Sequence, residues 1–296
     1  MLQDGFKKTI ISTHPHAIIA DVDVFCQAPY QLTAAGFSDM LGKLTSRVDW
    51  KLGQMITGEY YCEYFVELID GVVKMCVEQI AGIKEGEPEV MARLMEGLIL
   101  SGIGMLAIGN SRPASGSEHS LSHYWEMKAF LEGKTPHLHG TKVGVATGVM
   151  SKFYEKFFAK NPVDVNLAAV RAQKHSLEDI ETTIRCNLGR AAEGVVEVAR
   201  SIYLPWEEQQ QQIEKLQSAW QAIKGLQAIA PTFQHVFDIQ QAVGASILPH
   251  EIEVDRDLLR ETLLNAKEVR GKYTVLRAAD TLGWLEEITD EVVSEY

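Results

Sequence analysis

Basic side chains are scarce in this sequence. Its 296 residues carry 28 Lys and Arg against 40 Asp and Glu, which gives a formal net charge of −12. Binding to nucleic acid and adhesion to an anionic membrane both need clustered Lys and Arg. We therefore expect neither nucleic acid nor a membrane as the main partner. A small anionic substrate stays open, because one local cationic pocket can override the global charge.

Cysteine is also sparse, and its spacing forms no recognised motif. The four cysteines are Cys26, Cys62, Cys76 and Cys186, with no CxxC pair among them. This pattern favours free buried thiols in a reducing compartment over a disulfide framework. The stretch from Met1 to Ile10 contains a polar DGFKK run and lacks the apolar core of a secretory signal. We therefore predict a cytoplasmic protein.

Long hydrophobic runs and nucleotide-binding loops are missing too. The most apolar window, Leu94 to Ile108, is interrupted by Glu96 and by several glycines. Because it is too short to span a bilayer, it predicts a buried helix. No GxGxxG follows a strand, and no GxxxxGKS or GxxxxGKT occurs. A phosphate-cradling glycine loop is therefore not recognisable in this chain.

The sequence does contain helical periodicity over most of its length, and 46% of its residues are apolar. The best strand candidate is Ala17 to Val24, which is short and rich in β-branched residues. Gly144 and Gly148, four residues apart, predict close helix packing. Helices are predicted over 31–57, 63–83, 88–108, 139–160, 176–186, 191–202, 207–229, 231–242, 255–269 and 275–287, with another starting near Gly116. The fold class is mostly α.

The segment from Ser111 to Gly140 has a pattern typical of a metal site. Ser115 and Glu118 form an S-x-x-E capping box, so a helix can begin at Gly116 with free N–H groups that favour an anion. His119 and His123 then lie one turn apart on one face. His139 follows twenty residues after His119. Two imidazoles so placed can meet one metal, although this spacing is more often structural.

A catalytic metal needs a third protein ligand. Asp39 is the candidate, since it lies in a predicted helix that is otherwise short of charge. The alternative is an ion pair between Asp39 and Lys43, four residues later on the same helix face. Spacing alone leaves both interpretations open.

Four separate blocks of this sequence resemble the glycerol-1-phosphate dehydrogenase family, a branch of the iron-containing-alcohol-dehydrogenase-like and dehydroquinate-synthase-like superfamily. The blocks are HAIIADVDVFCQAPYQLTAAGFSDMLGKLTSRVDWKLG, SRPASGSEHSLSHYWEM, HGTKVGVATG and VRGKYTVLRAADTLGWLEE. The resemblance implies that Asp39, His119 and His139 bind a divalent metal. It also implies that Asp39 and His123 contact the substrate and act in catalysis.

The resemblance further implies a cofactor and a reaction. The metal is usually zinc, with nickel in some bacterial members, and the hydride carrier is NAD(H) or NADP(H). The reaction interconverts dihydroxyacetone phosphate and sn-glycerol 1-phosphate, so the partner is a small phosphorylated three-carbon substrate. His123, the N–H groups near Ser115 to Ser117, and Arg112 or Lys43 are candidate donors to its phosphate. For Arg112 and Lys43, an ion pair is an equally good interpretation.

The implied fold is the all-helical, metal-binding C-terminal domain of a dehydroquinate-synthase-like protein. We expect residues 29–296 to form this domain and residues 1–28 to be a remnant, with one or two strands, of a Rossmann-like nucleotide-binding domain. The family's glycine-rich loop would precede this sequence, so no residue is assigned to the nucleotide. Alternative functions are a truncated or degenerate paralogue that binds metal without catalysis, and a glycerol or polyol dehydrogenase. Whether the chain forms a homo-oligomer is left open.

Overall fold

The chain folds into a helical array that begins with a minimal β-hairpin. The structure, a computed structural model, describes residues 2–3, 5–7 and 13–296. In the hairpin, β1 (Leu2–Gln3) pairs antiparallel with β2 (Phe6–Lys7). Phe6 is partly buried against the main core, and β2 packs on the seventh and eleventh helices defined below. The predicted division of the chain at residue 28 stays a prediction.

Seventeen α-helices follow in the described part of the chain. The first eight are α1 (Val22–Cys26), α2 (Tyr30–Leu41), α3 (Lys43–Thr57), α4 (Glu63–Glu78), α5 (Ile80–Glu85), α6 (Pro88–Ile108), α7 (Ser117–Leu131) and α8 (His139–Ala159). The remainder are α9 (Leu167–Gln173), α10 (Leu177–Leu188), α11 (Ala192–Ile202), α12 (Trp206–Ser218), α13 (Trp220–Gly225), α14 (Phe233–Val243), α15 (Arg256–Asn265), α16 (Val275–Thr281) and α17 (Leu285–Ser294). The mostly α prediction is confirmed. Several predicted helices, such as 31–57 and 63–83, are two helices each.

The strand predicted at Ala17 to Val24 is wrong. Residues 17–21 have no regular secondary structure, and α1 begins at Val22. The carboxylate of Asp21 accepts hydrogen bonds from the N–H groups of Asp23 and Val24 and so caps this helix. Ile19 is 94% exposed and Ile18 57% exposed, so this β-branched run lacks the packing against a neighbouring strand, among the described residues, that favours β-structure.

The helix over the most apolar window lies at the surface, which corrects the prediction of a buried helix. Only 28% of the apolar window in α6 is buried, and Ile103 and Leu106 are about half exposed. Val90 and Leu94 pack into a smaller core with α2, α4, α5 and α14. In the described residues, α6 is the one helix whose length and composition would suffice to cross a membrane.

The larger core surrounds α8 and includes Trp125, Trp220 and Trp284. Trp50 is fully buried, and burial of a large apolar side chain contributes about 1.5–3 kcal/mol. The cysteines are free, as predicted, but only Cys76 is buried, while Cys186 is exposed. The larger core therefore fixes α7 and α8, the two histidine-bearing helices.

Glycines let α2 and α8 approach backbone to backbone. A Cβ at Gly140 would lie 1.9 Å from the carbonyl oxygen of Ala35, and a Cβ at Gly144 would lie 2.7 Å from the Cβ of Ser38. Close packing at Gly144 was predicted from the sequence. Gly148 does not take part, since its nearest neighbour would be 3.6 Å away. Any side chain at Gly140 would push the two helices apart.

We expect Gly140→Ala to destabilise the fold by about 1–3 kcal/mol, because the clash is with backbone that has little room to move. The matched control is Gly148→Ala on the same helix. There the added methyl makes an ordinary contact, and the gain in helix propensity is on the order of 0.5–1 kcal/mol. Denaturant-unfolding midpoints measure both effects. A Gly140→Ala protein that unfolds at the wild-type midpoint would contradict the steric interpretation.

Candidate metal centre

The predicted ligands from three helices lie together. Asp39 is on α2, His119 is in the first turn of α7, and His139 is the first residue of α8. One ligand atom from each of these residues lies within 4.8 Å of the others. The Oδ1 atom of Asp39 is 3.4 Å from His119 Nε2 and 3.7 Å from His139 Nε2. We call these three residues the metal cluster.

Asp39 is shared between the metal cluster and a lysine. Its Oδ2 atom accepts a hydrogen bond from Lys43 Nζ at 2.9 Å, which leaves Oδ1 facing the imidazoles. Burial alone would raise the pKa of Asp39, but Lys43 and His119 outweigh it and hold this pKa well below its usual value. The carboxylate is therefore ionised at neutral pH, as a metal ligand must be. Asp39 therefore forms the ion pair with Lys43 through one oxygen and faces the two imidazoles with the other, so the two interpretations of its spacing do not exclude each other.

Glu118 orients His119. Its Oε1 atom lies 2.7 Å from His119 Nδ1 and also accepts the N–H of Gly116 at 2.7 Å, while its Oε2 atom accepts from the hydroxyl of Thr45. The side chain of Glu118 is fully buried. Burial raises its pKa, but the hydrogen bond to His119, the charge of His119 and the backbone hydrogen bonds together lower it overall. A carboxylate on Nδ1 presents Nε2 to a metal, an arrangement common around histidine ligands.

The start of α7 is not the capping box that the sequence predicts. The residue before the helix is Gly116 rather than Ser115, and a glycine has no side chain with which to cap the helix. Instead, Asp49 from α3 accepts the N–H of Ser117 at 2.6 Å and that of Val275 at 2.8 Å. Burial and the charge of Glu118 raise the pKa of Asp49 to about 6. Carboxylates therefore already use the N–H groups of Gly116 and Ser117, which corrects their expected role as phosphate donors.

His123 and Glu126 form a second group beside the metal cluster. The ring of His123 stacks on that of His139, with centroids 5.5 Å apart and planes 18° apart. Glu126 Oε2 lies 3.6 Å from His123 Nδ1, and His123, Glu126 and His139 also have ligand atoms within 4.8 Å of one another. The sequence analysis missed Glu126, although its spacing of three from His123 and seven from His119 places it on the same helix face.

The remaining candidate donors have structural partners. Arg112 forms a two-point ion pair with Glu59. Lys43 donates to Asp39 and to the carbonyl oxygen of Ala114. His123 instead meets Arg270, whose Nη2 atom lies 3.0 Å from His123 Nε2. Arg270 was not singled out from the sequence, because no motif links it to His123 across 147 residues.

The donor set of the metal cluster fits a divalent transition metal. Two imidazole nitrogens and one carboxylate oxygen suit zinc and also suit nickel. His119 is nearly buried, whereas the side chain of His139 is 44% exposed, so the metal cluster opens to solvent on the α8 side. Three protein ligands with one open side are typical of a catalytic metal site.

Comparisons with known proteins find curated relatives over nearly the whole chain. No protein-family model matches the chain. The glycerol-1-phosphate dehydrogenase (NAD(P)+) of Bacillus licheniformis is 32% identical over 285 residues, which is 96% of this chain and 58% of that enzyme. The chain is a homologue of the glycerol-1-phosphate dehydrogenases. The enzyme of the same name from Geobacillus stearothermophilus is 31% identical over 283 residues, covering 95% of this chain and 61% of the relative.

A stronger match to these dehydrogenases is confined to part of the chain. The glycerol-1-phosphate dehydrogenase of Halalkalibacterium halodurans is 44% identical over 155 residues, or 52% of this chain and 39% of the relative. Across the longer alignments, the chain spans about three fifths of the length of the curated relatives that it matches. The family resemblance that the sequence motifs indicated is confirmed.

We expect Glu118→Gln to weaken zinc binding by the metal cluster by about 10–100-fold, because the amide keeps the hydrogen-bonding shape but removes the charge that polarises His119. Glu132→Gln, an exposed change at the end of the same helix, is the matched control and should leave the affinity unchanged. Competition with a coloured chelator measures both. Equal zinc affinities for wild type and Glu118→Gln would show that Glu118 acts only in folding.

Proposed function

We propose that this chain acts in the reversible, NAD(P)-linked interconversion of dihydroxyacetone phosphate and sn-glycerol 1-phosphate. Asp39, His119 and His139 would hold a divalent cation, zinc first and nickel second, and His123 would contact the substrate. The observation that carries the proposal is the convergence of these residues from α2, α7 and α8 in a homologue of glycerol-1-phosphate dehydrogenases. A cytoplasmic location is part of the same proposal.

The side chains around the metal cluster suit carbonyl chemistry. When bound, a divalent cation supplies Lewis-acid polarisation of a carbonyl oxygen. The protein holds these metal ligands in one geometry before substrate binds. Lys43 donates a hydrogen bond to Asp39, and His119 is hydrogen-bonded to the accepting carboxylate of Glu118. His123 is only 3% exposed and stacks on His139, so it can contact a substrate that enters beside the exposed face of His139.

A phosphorylated substrate fits the charge around His123. Arg270 lies within hydrogen-bonding distance of His123, and Lys142 Nζ lies 3.8 Å from the neighbouring Glu126. Both cations lie close to α7, and the burial of Lys142 and the partial burial of Arg270 strengthen electrostatic attraction to a phosphate. In the proposed reduction, a bound nicotinamide would supply the hydride for the ketone carbon and a proton would add to the carbonyl oxygen, so that the products would be NAD(P)+ and the secondary alcohol.

The first test is metal binding by the chain itself. Zinc and nickel titrations of chelator-treated protein should show one tight site, and Asp39→Ala or His139→Ala should weaken it more than about 100-fold because each removes a direct ligand. His137→Ala is the matched control, since His137 is exposed and lies two residues from His139 but outside the metal cluster. Undiminished metal binding in both cluster variants would overturn the assignment.

The second test is turnover by the metal-loaded protein. Oxidation of NADH or NADPH should depend on dihydroxyacetone phosphate and should fall at least about 100-fold, equivalent to about 2.7 kcal/mol of transition-state stabilisation, in His139→Ala. His137→Ala should keep the wild-type rate. Metal binding without turnover with either nucleotide would favour the non-catalytic metal-binding module. A clear preference for unphosphorylated glycerol would favour a polyol dehydrogenase.

A further inference from the structure

A cavity of about 510 Å³ lies outside the metal cluster. It is lined by residues from the end of α3, the segment before α7, the end of α11 and the stretch from Gly271 to Tyr273. No residue of the metal cluster lines it, and neither does His123. Its volume is within the range of pockets that hold small metabolites. We call it the basic cavity, after its lining cations Arg112, Lys272 and Arg277.

The basic cavity carries an excess of positive charge in an acidic protein. Three cations line it against one carboxylate, that of Glu59, whereas the chain as a whole has a net charge of −12. Glu59 gives both of its oxygens to Arg112. Arg277 is held by both oxygens of Glu268, which does not line the cavity. Each of the two guanidinium groups is therefore paired with a carboxylate, which leaves Lys272 as the third lining cation.

Lys272 has no such partner among the described residues. Its Nζ atom donates to the carbonyl oxygen of Ser115 at 2.7 Å, and no carboxylate oxygen in the described part of the chain lies within the 4.0 Å of an ion pair. An ammonium group has three donors, so two remain for a ligand. Burial and the nearby charges of Arg270 and Arg112 lower the pKa of Lys272 well below its usual value. A bound anion would stabilise the charged form of Lys272 and so raise this pKa again.

Other donors stand beside Lys272. Arg112 is 5% exposed, and its Nη1 atom is buried with no hydrogen-bond partner in the described part of the chain. Asn110 lines the cavity and uses its Oδ1 atom to accept the N–H of Arg112, so its amide NH2 group is not used in that bond. A buried guanidinium donor and an ammonium group together match the several acceptor oxygens of a phosphate. Ile202 and Leu204 add an apolar wall, which suits an organic group.

We propose that the basic cavity binds a small phosphate monoester through Lys272, with Arg112 and Asn110 as supporting donors. The proposal does not rest on the proposed function, because the metal cluster takes no part in the cavity. The phosphate has two sources to distinguish: the substrate of the metal site, or a separate phosphate ester.

The test is calorimetric titration of metal-depleted protein with inorganic phosphate. Lys272→Met should weaken binding at least about 10-fold, since a hydrogen bond to a charged group is lost, and Lys272→Arg should keep most of the affinity. Lys74→Met is the matched control, because Lys74 is an exposed lysine on α4 that does not line the basic cavity. Asn110→Asp changes an exposed residue and places a carboxylate in the wall. It should also weaken binding, which keeps the test valid if Lys272→Met folds poorly.

Dihydroxyacetone phosphate and unphosphorylated dihydroxyacetone, titrated into zinc-loaded protein, separate the two sources. If both Lys272→Met and His139→Ala weaken binding of the phosphorylated compound, the substrate's phosphate occupies the basic cavity. If only Lys272→Met does, the cavity holds a separate ester. Either result supports the proposal. Phosphate binding that is unchanged in Lys272→Met and Asn110→Asp, or that is lost in metal-depleted His139→Ala instead, would overturn it.

Discussion

The backbone contact between α2 and α8 is the constraint on which the candidate site depends. At Ala35 and Gly140 the two helices touch without an intervening side chain. Asp39 lies one turn after Ala35, and His139 immediately precedes Gly140. The contact therefore places the carboxylate of Asp39 close to the imidazole of His139. Since helices usually pack with axes 8–10 Å apart, a larger residue at Gly140 would separate these ligand atoms even if the helices themselves remained intact.

A second layer of polar contacts places α7 against this helix pair. The buried carboxylates of Asp49 and Glu118 accept the N–H groups at the start of α7, which would otherwise be unsatisfied in the interior. Two carboxylates so close repel each other, which contributes to the raised pKa of Asp49. Their hydrogen bonds to the N–H groups of Gly116, Ser117 and Val275 offset this cost and hold the start of α7 rigidly in place. His119 takes its orientation directly from that network.

The helical periodicity of the sequence predicted most of the helices. The ligand set Asp39, His119 and His139 was predicted from the family resemblance, because spacing alone left other interpretations open. Glu118 was noticed only as a capping residue, and Asp49 and Lys272 were missed. Their roles depend on contacts 68 or more residues away in sequence, such as Asp49 with Ser117 and Lys272 with Ser115. The prediction of a strand at Ala17 to Val24 was wrong for a related reason, because residues of high β-propensity form a strand only when a neighbouring strand packs beside them.

The segment before α7 connects the two sites in one piece of backbone. Lys43 donates to the carbonyl oxygen of Ala114 and Lys272 to that of Ser115, so consecutive carbonyls are held by lysines from distant parts of the chain. Lys43 also binds Asp39 of the metal cluster, while Lys272 lines the basic cavity. Each lysine therefore binds a carbonyl oxygen of this segment and also belongs to a candidate ligand site. Because His119 follows Ser115 by only four residues, the position of this segment sets the geometry of the metal cluster.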